Sequence, residues 1–292
     1  MSQYRLLTKE EIQNFQDNGA IKISNFLNEY YLNMCYRKFE DSIANPSKNS
    51  TGTFYYNDLT SLDGSDVQTE RLFTYAELVK EGPFADVCQQ LLSDNNIFYY
   101  DNEIFRKRYK VNGETMPIGA SNMTAYHQDT SYFSSVNDWV GFWICFKDVP
   151  KKNSLEVVKG SHKNGIYDPP DFSGKYKFMF EDRGDYKLPP TPVVIHNNNN
   201  SHDDEILSWE IKRGDVIVLN PNCLHGNAPT DETFQERDTL VLRFFGSNAT
   251  YFKLPGKPTY GTPQPWLQKL NHGDKFYKSG IFMQVRGSAS AL

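Results

Sequence analysis

Two short segments that contain histidine, separated by 98 positions, constrain the fold of this chain more than any other feature. The first contains His127 and Asp129 on either side of a glutamine, and the second ends in His225. If the first segment is a strand, His127 and Asp129 lie on one face, because strand side chains repeat every second residue. Two imidazoles and one carboxylate that face one metal ion leave its opposite positions open, which is typical of non-haem Fe(II) sites. The sequence therefore predicts a metal site made by His127, Asp129 and His225.

A second His-x-Asp pair, His202 and Asp204, shows that the short motif is weak on its own. It follows a polar run at 197–201 that has no periodicity and is typical of a solvated loop. A loop holds metal ligands poorly unless a supporting shell fixes them. The strand-like surroundings of His127 and Asp129 favour that pair as the ligands.

Composition excludes several classes of protein. The chain has 292 residues and a net charge of −5 without a basic stripe, which argues against nucleic acid as a partner. It has no apolar leader and no apolar run of membrane length, so we expect a cytoplasmic protein that does not contact membranes. Its four cysteines lie 53 or more residues apart, which indicates free thiols. Aromatic residues make up 14% of the chain and favour a pocket for a small-molecule partner. We expect a monomer or a homodimer.

The first third of the chain reads as mainly helical. A capping box from Thr8 to Glu11 opens a helix, and a turn then leads into an alternating strand at Ala20–Ile23. Further helices are predicted from about Asn28 to Phe39 and near Phe84 to Leu92. Residues 46–70 are polar and predict a long loop.

The rest of the chain reads as strands separated by turns. Strands are predicted at 96–100, 104–109, 139–146, 209–211, 216–219 and 239–245, with a long excursion at 162–204. This pattern predicts a mostly β protein with flanking helices and a double-stranded β-helix core, which is a cupin-like jelly-roll. We expect a single domain over 1–292: a helical N-terminal part of about 1–95, a jelly-roll core of about 96–250, and a C-terminal extension at 251–292.

Several ordered blocks beyond the His-x-Asp pair resemble the phytanoyl-CoA dioxygenase (PhyH) family of Fe(II)/2-oxoglutarate-dependent oxygenases. These blocks are 127–133, 143–148, 155–162 and 214–226, with Arg237 twelve positions after His225 and a matching N-terminal segment at 7–27. The resemblance covers roughly residues 5–247. It implies Fe(II), 2-oxoglutarate as co-substrate and O2, with succinate and CO2 as co-products.

The resemblance also implies roles for single residues. Arg237 corresponds to the arginine that binds the far carboxylate of 2-oxoglutarate, and a planar guanidinium matches a carboxylate in bidentate fashion. Trp143 and Thr124 are expected to wall the co-substrate. Arg243, six positions on with the same strand parity, is the alternative to Arg237. His162 is interpreted as a structural residue and not as a ligand.

The expected function is oxidation of a C–H bond in a small organic molecule, a specialised metabolite, by hydroxylation, desaturation or oxidative cyclisation. One alternative is an acyl-CoA hydroxylase of the same family. Others are a cupin-like metalloenzyme, which would not need Arg237, and a catalytically inactive jelly-roll binding module. Ser154 stands where the family often has glycine, and the 162–204 excursion carries no family motif. The resemblance therefore transfers the metal site but no substrate.

Overall fold

The structure, a computed structural model, describes residues 4–46, 55–57, 75–116, 124–168, 180–181, 189, 206–253, 257–258 and 269–288. In this part of the chain, two antiparallel sheets face each other and helices pack against the outer side of the larger sheet. This arrangement confirms the predicted mostly β jelly-roll. None of the helices in the described ranges is long and apolar enough to cross a bilayer.

The helices are α1 (Lys9–Asn18), α2 (Glu29–Ala44), α3 (Ala76–Glu81), α4 (Phe84–Leu92) and α5 (Thr130–Phe133). The capping box is confirmed, because Thr8 and Glu11 satisfy each other's backbone N–H groups at the start of α1. Gly19 ends the same helix at a φ of 81°, a left-handed conformation that glycine adopts without strain. α2 continues beyond the predicted Phe39, and α3 was not predicted.

The larger sheet has the strand order β1-β12-β8-β14-β3-β17, with β2 also paired to β3. Its strands are β1 (Ala20–Ile23), β2 (Tyr55–Asn57), β3 (Ile97–Arg108), β8 (Trp139–Cys145), β12 (Val216–Leu219), β14 (Glu236–Gly246) and β17 (Met283–Arg286). The sheet thus takes β1 from the N-terminal part and β17 from the C-terminal extension. The prediction of two strands at 96–100 and 104–109 was wrong, since β3 is continuous and pairs with β14 along its whole length.

The smaller sheet has the order β11-β9-β13-β6 and carries the two histidines of the predicted metal site. Its strands are β6 (Thr124–His127), β9 (Leu155–Val158), β11 (Ile206–Leu207) and β13 (His225–Asn227). The remaining short strands pair in twos: β4 (Lys110–Val111) with β5 (Glu114–Thr115), β7 (Ser135–Val136) with β15 (Thr250–Tyr251), and β10 (Phe180–Glu181) with β16 (Lys257–Pro258). The predicted strand at 209–211 was wrong, because Ile211 forms only an isolated bridge with Val149.

Two apolar clusters place the larger sheet between the helices and the smaller sheet. The outer cluster joins helical side chains such as Phe39 and Phe84 to Phe142 and Phe244 on the sheet. The inner cluster lies between the sheets and includes Trp143 and Val157. Because neighbouring side chains on a strand point to opposite faces, the alternate residues of β3 and β14 face the interior.

Candidate metal centre

Two strands of the smaller sheet bring the two histidines together. β6 and β13 are antiparallel, and His127 and His225 are direct cross-strand partners whose ring centroids lie 4.5 Å apart. Gly226 allows this close approach. A Cβ atom on Gly226 would lie only 2.9 Å from the carbonyl oxygen of Thr124 and from backbone atoms of Tyr126. Two residues that are 98 positions apart in sequence are thus directly paired in the sheet.

Backbone carbonyls fix the orientation of both imidazole rings. Nδ1 of His127 donates to the carbonyl oxygen of Ala125 at 2.7 Å, and Nδ1 of His225 donates to that of Cys223 at 2.9 Å. A neutral imidazole that donates from Nδ1 carries a lone pair on Nε2. The two Nε2 atoms lie 3.1 Å and 3.5 Å from the same Oδ1 atom of Asp129. Three electron-pair donors that converge in this way fit a metal cation.

Asp129 reaches the site by a different route from the one the sequence predicted. β6 ends at His127, and Asp129 is the residue before α5, with a φ of −61° and a ψ of −37°. The assumption that His127 and Asp129 share one strand was therefore wrong, because the chain turns between them. Ligand atoms of His127, Asp129 and His225 nevertheless lie within 4.8 Å of one another, and all three residues are buried.

Arg243 controls the charge of Asp129. Nε of Arg243 donates to Oδ2 of Asp129 at 2.8 Å, while the two Nη atoms pair with Asp101 and Glu103. Burial opposes ionisation of Asp129, but Arg243 and the nearby imidazoles outweigh it, so the pKa of this carboxyl lies well below its usual value. Asp129 is therefore a carboxylate at neutral pH, which is the form that binds a metal.

The other histidines in the described ranges lie apart from this cluster. Nε2 of His162 donates to the carbonyl oxygen of Gln16 at 3.0 Å, in keeping with a structural role. His272 is exposed. The alternative pair His202 and Asp204 lies outside the described residues, as does most of the 162–204 excursion.

Arg237 is buried on the inner face of β14 and has no acidic partner among the described residues. Its exposed fraction is 2%, and its hydrogen bonds run from Nε to Thr239 and from Nη1 to the carbonyl oxygens of Asn153 and Ala228. Its guanidinium carbon lies 5.4 Å from the centroid of the Trp143 ring. Burial lowers the pKa of Arg237 to about 10. A buried cation without an anion is costly, so the position suits an anionic ligand.

Lys107 is a candidate functional residue that the sequence reading missed. It is the cross-strand partner of Arg237 and is 2% exposed, and its Nζ donates to Oγ1 of Thr124 at 2.7 Å. Burial, with repulsion from Arg237, holds its pKa well below the usual value. Among the described residues, no carboxylate pairs with Lys107 or Arg237. The structure thus gathers Thr124, Trp143 and Arg237 at one place and adds a second basic side chain to them.

Comparison with known proteins decides the family. The profile of the family described as Phytanoyl-CoA dioxygenase (PhyH) matches residues 15–233. The chain belongs to this family. It is an Fe(II)/2-oxoglutarate-dependent oxygenase that uses O2, and His127, Asp129 and His225 form its candidate iron site. No curated protein matches the chain in sequence.

Several solved structures share the fold of this chain. The 2-oxoglutarate-dependent carbocyclase SnoK of nogalamycin biosynthesis shares 16% identity at a TM-score of 0.60, covering 95% of this chain and 96% of SnoK. The epimerase SnoN, solved with Fe3+, α-ketoglutarate and nogalamycin RO, shares 16% sequence identity with this chain at a TM-score of 0.58. The alignment covers 95% of this chain and 98% of SnoN. EctD from S. alaskensis, solved with 2-oxoglutarate and 5-hydroxyectoine, shares 15% sequence identity with this chain at a TM-score of 0.52. The alignment covers 92% of this chain and 85% of EctD. At such identity these likenesses show the fold alone.

Proposed function

We propose that this oxygenase oxidises a C–H bond of a small organic molecule, with iron held by His127, Asp129 and His225 and 2-oxoglutarate anchored by Arg237. The reaction is hydroxylation, desaturation or oxidative cyclisation, and it releases succinate and CO2. The carrying observation is the convergence of two Nε2 atoms and one carboxylate oxygen, with Nδ1 of each ring tied to a backbone carbonyl. That donor set leaves open positions on the metal, as a site that must also admit 2-oxoglutarate and O2 requires.

The buried side chains of Arg237 and Lys107 support the position proposed for 2-oxoglutarate. Arg237 and Lys107 face the interior from adjacent strands, and Arg237 has no acidic partner in the described chain. Arg243 already pairs with Asp129, Asp101 and Glu103. An incoming carboxylate would neutralise Arg237, whereas at Arg243 it would have to displace an ion pair. This difference favours Arg237 over Arg243 as the anchor.

The chain's own side chains have positional roles in the proposed reaction. Iron and 2-oxoglutarate together supply the activation of O2. The carbonyls of Ala125 and Cys223 hold the two imidazoles in the tautomer that presents Nε2. The inner apolar cluster flanks the site through Trp143, beside Arg237, and Val157, the cross-strand partner of His225, and it would limit the access of water.

A small specialised metabolite is the substrate class that the comparisons support. SnoK and SnoN act in nogalamycin biosynthesis, and EctD was solved with 5-hydroxyectoine. Nogalamycin RO and 5-hydroxyectoine are both small organic molecules, and the proteins solved with them share this fold. A net charge of −5 fits a polyanionic partner poorly.

Anaerobic titration with Fe(II) and then 2-oxoglutarate tests the proposed site. We expect a metal-to-ligand visible band that appears only when both are present, and we expect His127→Ala and His225→Ala to lose it together with bound iron. His272→Ala is the matched control, because His272 is exposed and away from the cluster. Metal binding without a 2-oxoglutarate band would indicate a cupin-like metalloenzyme. Absence of both would indicate a binding module.

A succinate-release screen tests the substrate class. The holoenzyme is incubated with O2, 2-oxoglutarate and panels of small polar metabolites, polycyclic aromatic compounds and acyl-CoA thioesters, and succinate is measured above the substrate-free rate. We expect stimulation in one of the first two panels. Stimulation by acyl-CoA thioesters alone would contradict the proposed class and favour an acyl-CoA hydroxylase.

A further inference from the structure

The two oxygen atoms of Asp129 have different partners. Oδ1 faces both imidazoles, 3.1 Å from Nε2 of His127 and 3.5 Å from Nε2 of His225. Oδ2 points away from them and accepts a hydrogen bond from Nε of Arg243 at 2.8 Å. A carboxylate can bind a metal through one oxygen or through both, and here the second oxygen is already occupied.

The Arg243 guanidinium cannot follow Asp129 if the carboxylate rotates. Its Nη1 lies 3.2 Å from both carboxylate oxygens of Asp101, and its Nη2 pairs with Glu103. Arg243 and Asp101 are also cross-strand partners on β14 and β3, and both side chains are buried. The plane of the guanidinium is therefore set by two acidic side chains that do not contribute to the metal cluster. Rotation of Oδ2 toward a metal would break the bond to Nε without replacement.

We infer that Arg243 is a positioning residue that restricts Asp129 to one-oxygen binding of the metal. This inference rests on the proposed function, and it explains how three protein ligands can leave room for two further reactants. Two nitrogens and one oxygen would bind one face of the ion and leave the other positions for chelating 2-oxoglutarate and O2. A two-oxygen Asp129 would occupy one of those positions itself.

A matched pair of variants isolates the contact between Arg243 and Asp129. The control carries Asp101→Asn and Glu103→Gln, whose amide oxygens can still accept from Arg243. The test protein adds Arg243→Met to these two changes, so that no buried carboxylate loses its cation at Asp101 or Glu103. Both proteins, and the unsubstituted chain, are loaded with Co(II) without 2-oxoglutarate. X-ray absorption then reports whether the carboxylate carbon lies close to the metal, as in two-oxygen binding.

We expect one-oxygen binding in the unsubstituted chain and in the control, and two-oxygen binding in the test protein. Co(II) affinity should change by less than about threefold between control and test protein, because all three ligands remain. Affinity for 2-oxoglutarate, measured on the Co(II) proteins, should fall by about tenfold or more, because a two-oxygen Asp129 would occupy a position that the chelating co-substrate needs. A role in folding alone would lower both affinities together and leave the carboxylate binding through one oxygen.

Two further outcomes separate this inference from the proposed function. If the unsubstituted chain binds neither Co(II) nor Fe(II), both the proposed function and the inference are overturned. If it binds metal, and the test protein shows the same one-oxygen binding and the same 2-oxoglutarate affinity as the control, only the inference is overturned. Should the test protein fail to fold by circular dichroism, Arg243→Lys replaces it. That variant keeps the charge but lacks the Nε–H donor, and the same two readouts decide.

Discussion

Arg237 and Arg243 are the same side chain on the same inner face of β14, yet their surroundings differ. Arg243 is enclosed by three carboxylates, whereas Arg237 contacts carbonyl and hydroxyl oxygens and the ring of Trp143. A guanidinium with three acidic partners is a structural charge, while one without any acidic partner can accept a new anion. Residue type and strand parity could not separate the two, because the difference lies in what the adjacent strand places opposite each arginine.

At the residue scale, Arg237→Ala should weaken 2-oxoglutarate binding far more than Fe(II) binding. A charge-assisted contact contributes about 1.5–3 kcal/mol, so the 2-oxoglutarate Kd should rise about tenfold to a hundredfold. Lys107→Met should raise the Kd less, because an amine cannot bind a carboxylate in the bidentate fashion of a guanidinium. The measurement is anaerobic titration followed by visible absorbance. Arg213→Ala, which removes an exposed arginine, is the control. An unchanged Kd in Arg237→Ala would place the carboxylate elsewhere.

The residues of the site differed in how far sequence could predict them. The cluster of His127, Asp129 and His225 was predictable because these candidate ligands form a motif within ordered family blocks. Lys107 was not, since its importance depends on the register that pairs it with Arg237. A lysine on a strand otherwise reads as a solvent-facing residue. The polar pair Asp101 and Asn102, which interrupted the predicted strands, is instead buried within β3.

At the scale of elements, the pairing of β6 with β13 sets the distance between the two histidines. Gly226→Ala should force the strands apart, because a Cβ there would lie 2.9 Å from backbone atoms, which cannot rotate away. We expect a loss of about 1–3 kcal/mol in the free energy of unfolding and a metal affinity at least about tenfold weaker. Denaturant unfolding and Co(II) titration measure the two effects. Gly165→Ala is the control, since a Cβ there meets nothing within 4 Å.

The Arg5–Glu11 ion pair at the N-terminus of α1 makes the free energy of unfolding depend on pH. The Arg5 side chain, with smaller effects from Thr8, lowers the pKa of Glu11 to about 2, against an unfolded value of about 4.3. The resulting stability is fully present above about pH 4.5 and is lost as pH falls toward 2. Because Glu11 is partly exposed, Glu11→Gln should cost only about 0.5–1 kcal/mol at pH 7, and less at pH 3.

Denaturant unfolding of the Glu11→Gln protein at pH 7 and pH 3 checks this prediction. Glu10→Gln provides the control, because Glu10 lies in the same turn without an ion pair in the described chain. Equal losses at both pH values would show that the carboxylate charge of Glu11 does not contribute to the stability of α1.

At the scale of the whole molecule, the four cysteines report on global unfolding. Cys35, Cys88, Cys145 and Cys223 are all free and have no exposed surface. Burial raises the pKa of Cys145 and Cys223 to about 12, so almost no reactive thiolate is present at neutral pH. We expect an aromatic disulfide reagent to label no thiol in the folded protein and four after denaturation. Fast labelling of one equivalent in native buffer would contradict the burial of that cysteine.

The position of β6 has a consequence for the lifetime of the folded state. Within the described part of the smaller sheet, β6 is an edge strand that pairs only with β13. A metal held by His127 and His225 would cross-link β6 to β13, the strand with which it pairs. Because 98 positions separate the two residues, we expect their pairing to form late in folding, and the ion should contribute little to the folding transition state. Iron should therefore slow the unfolding of this protein and leave its rate of folding almost unchanged.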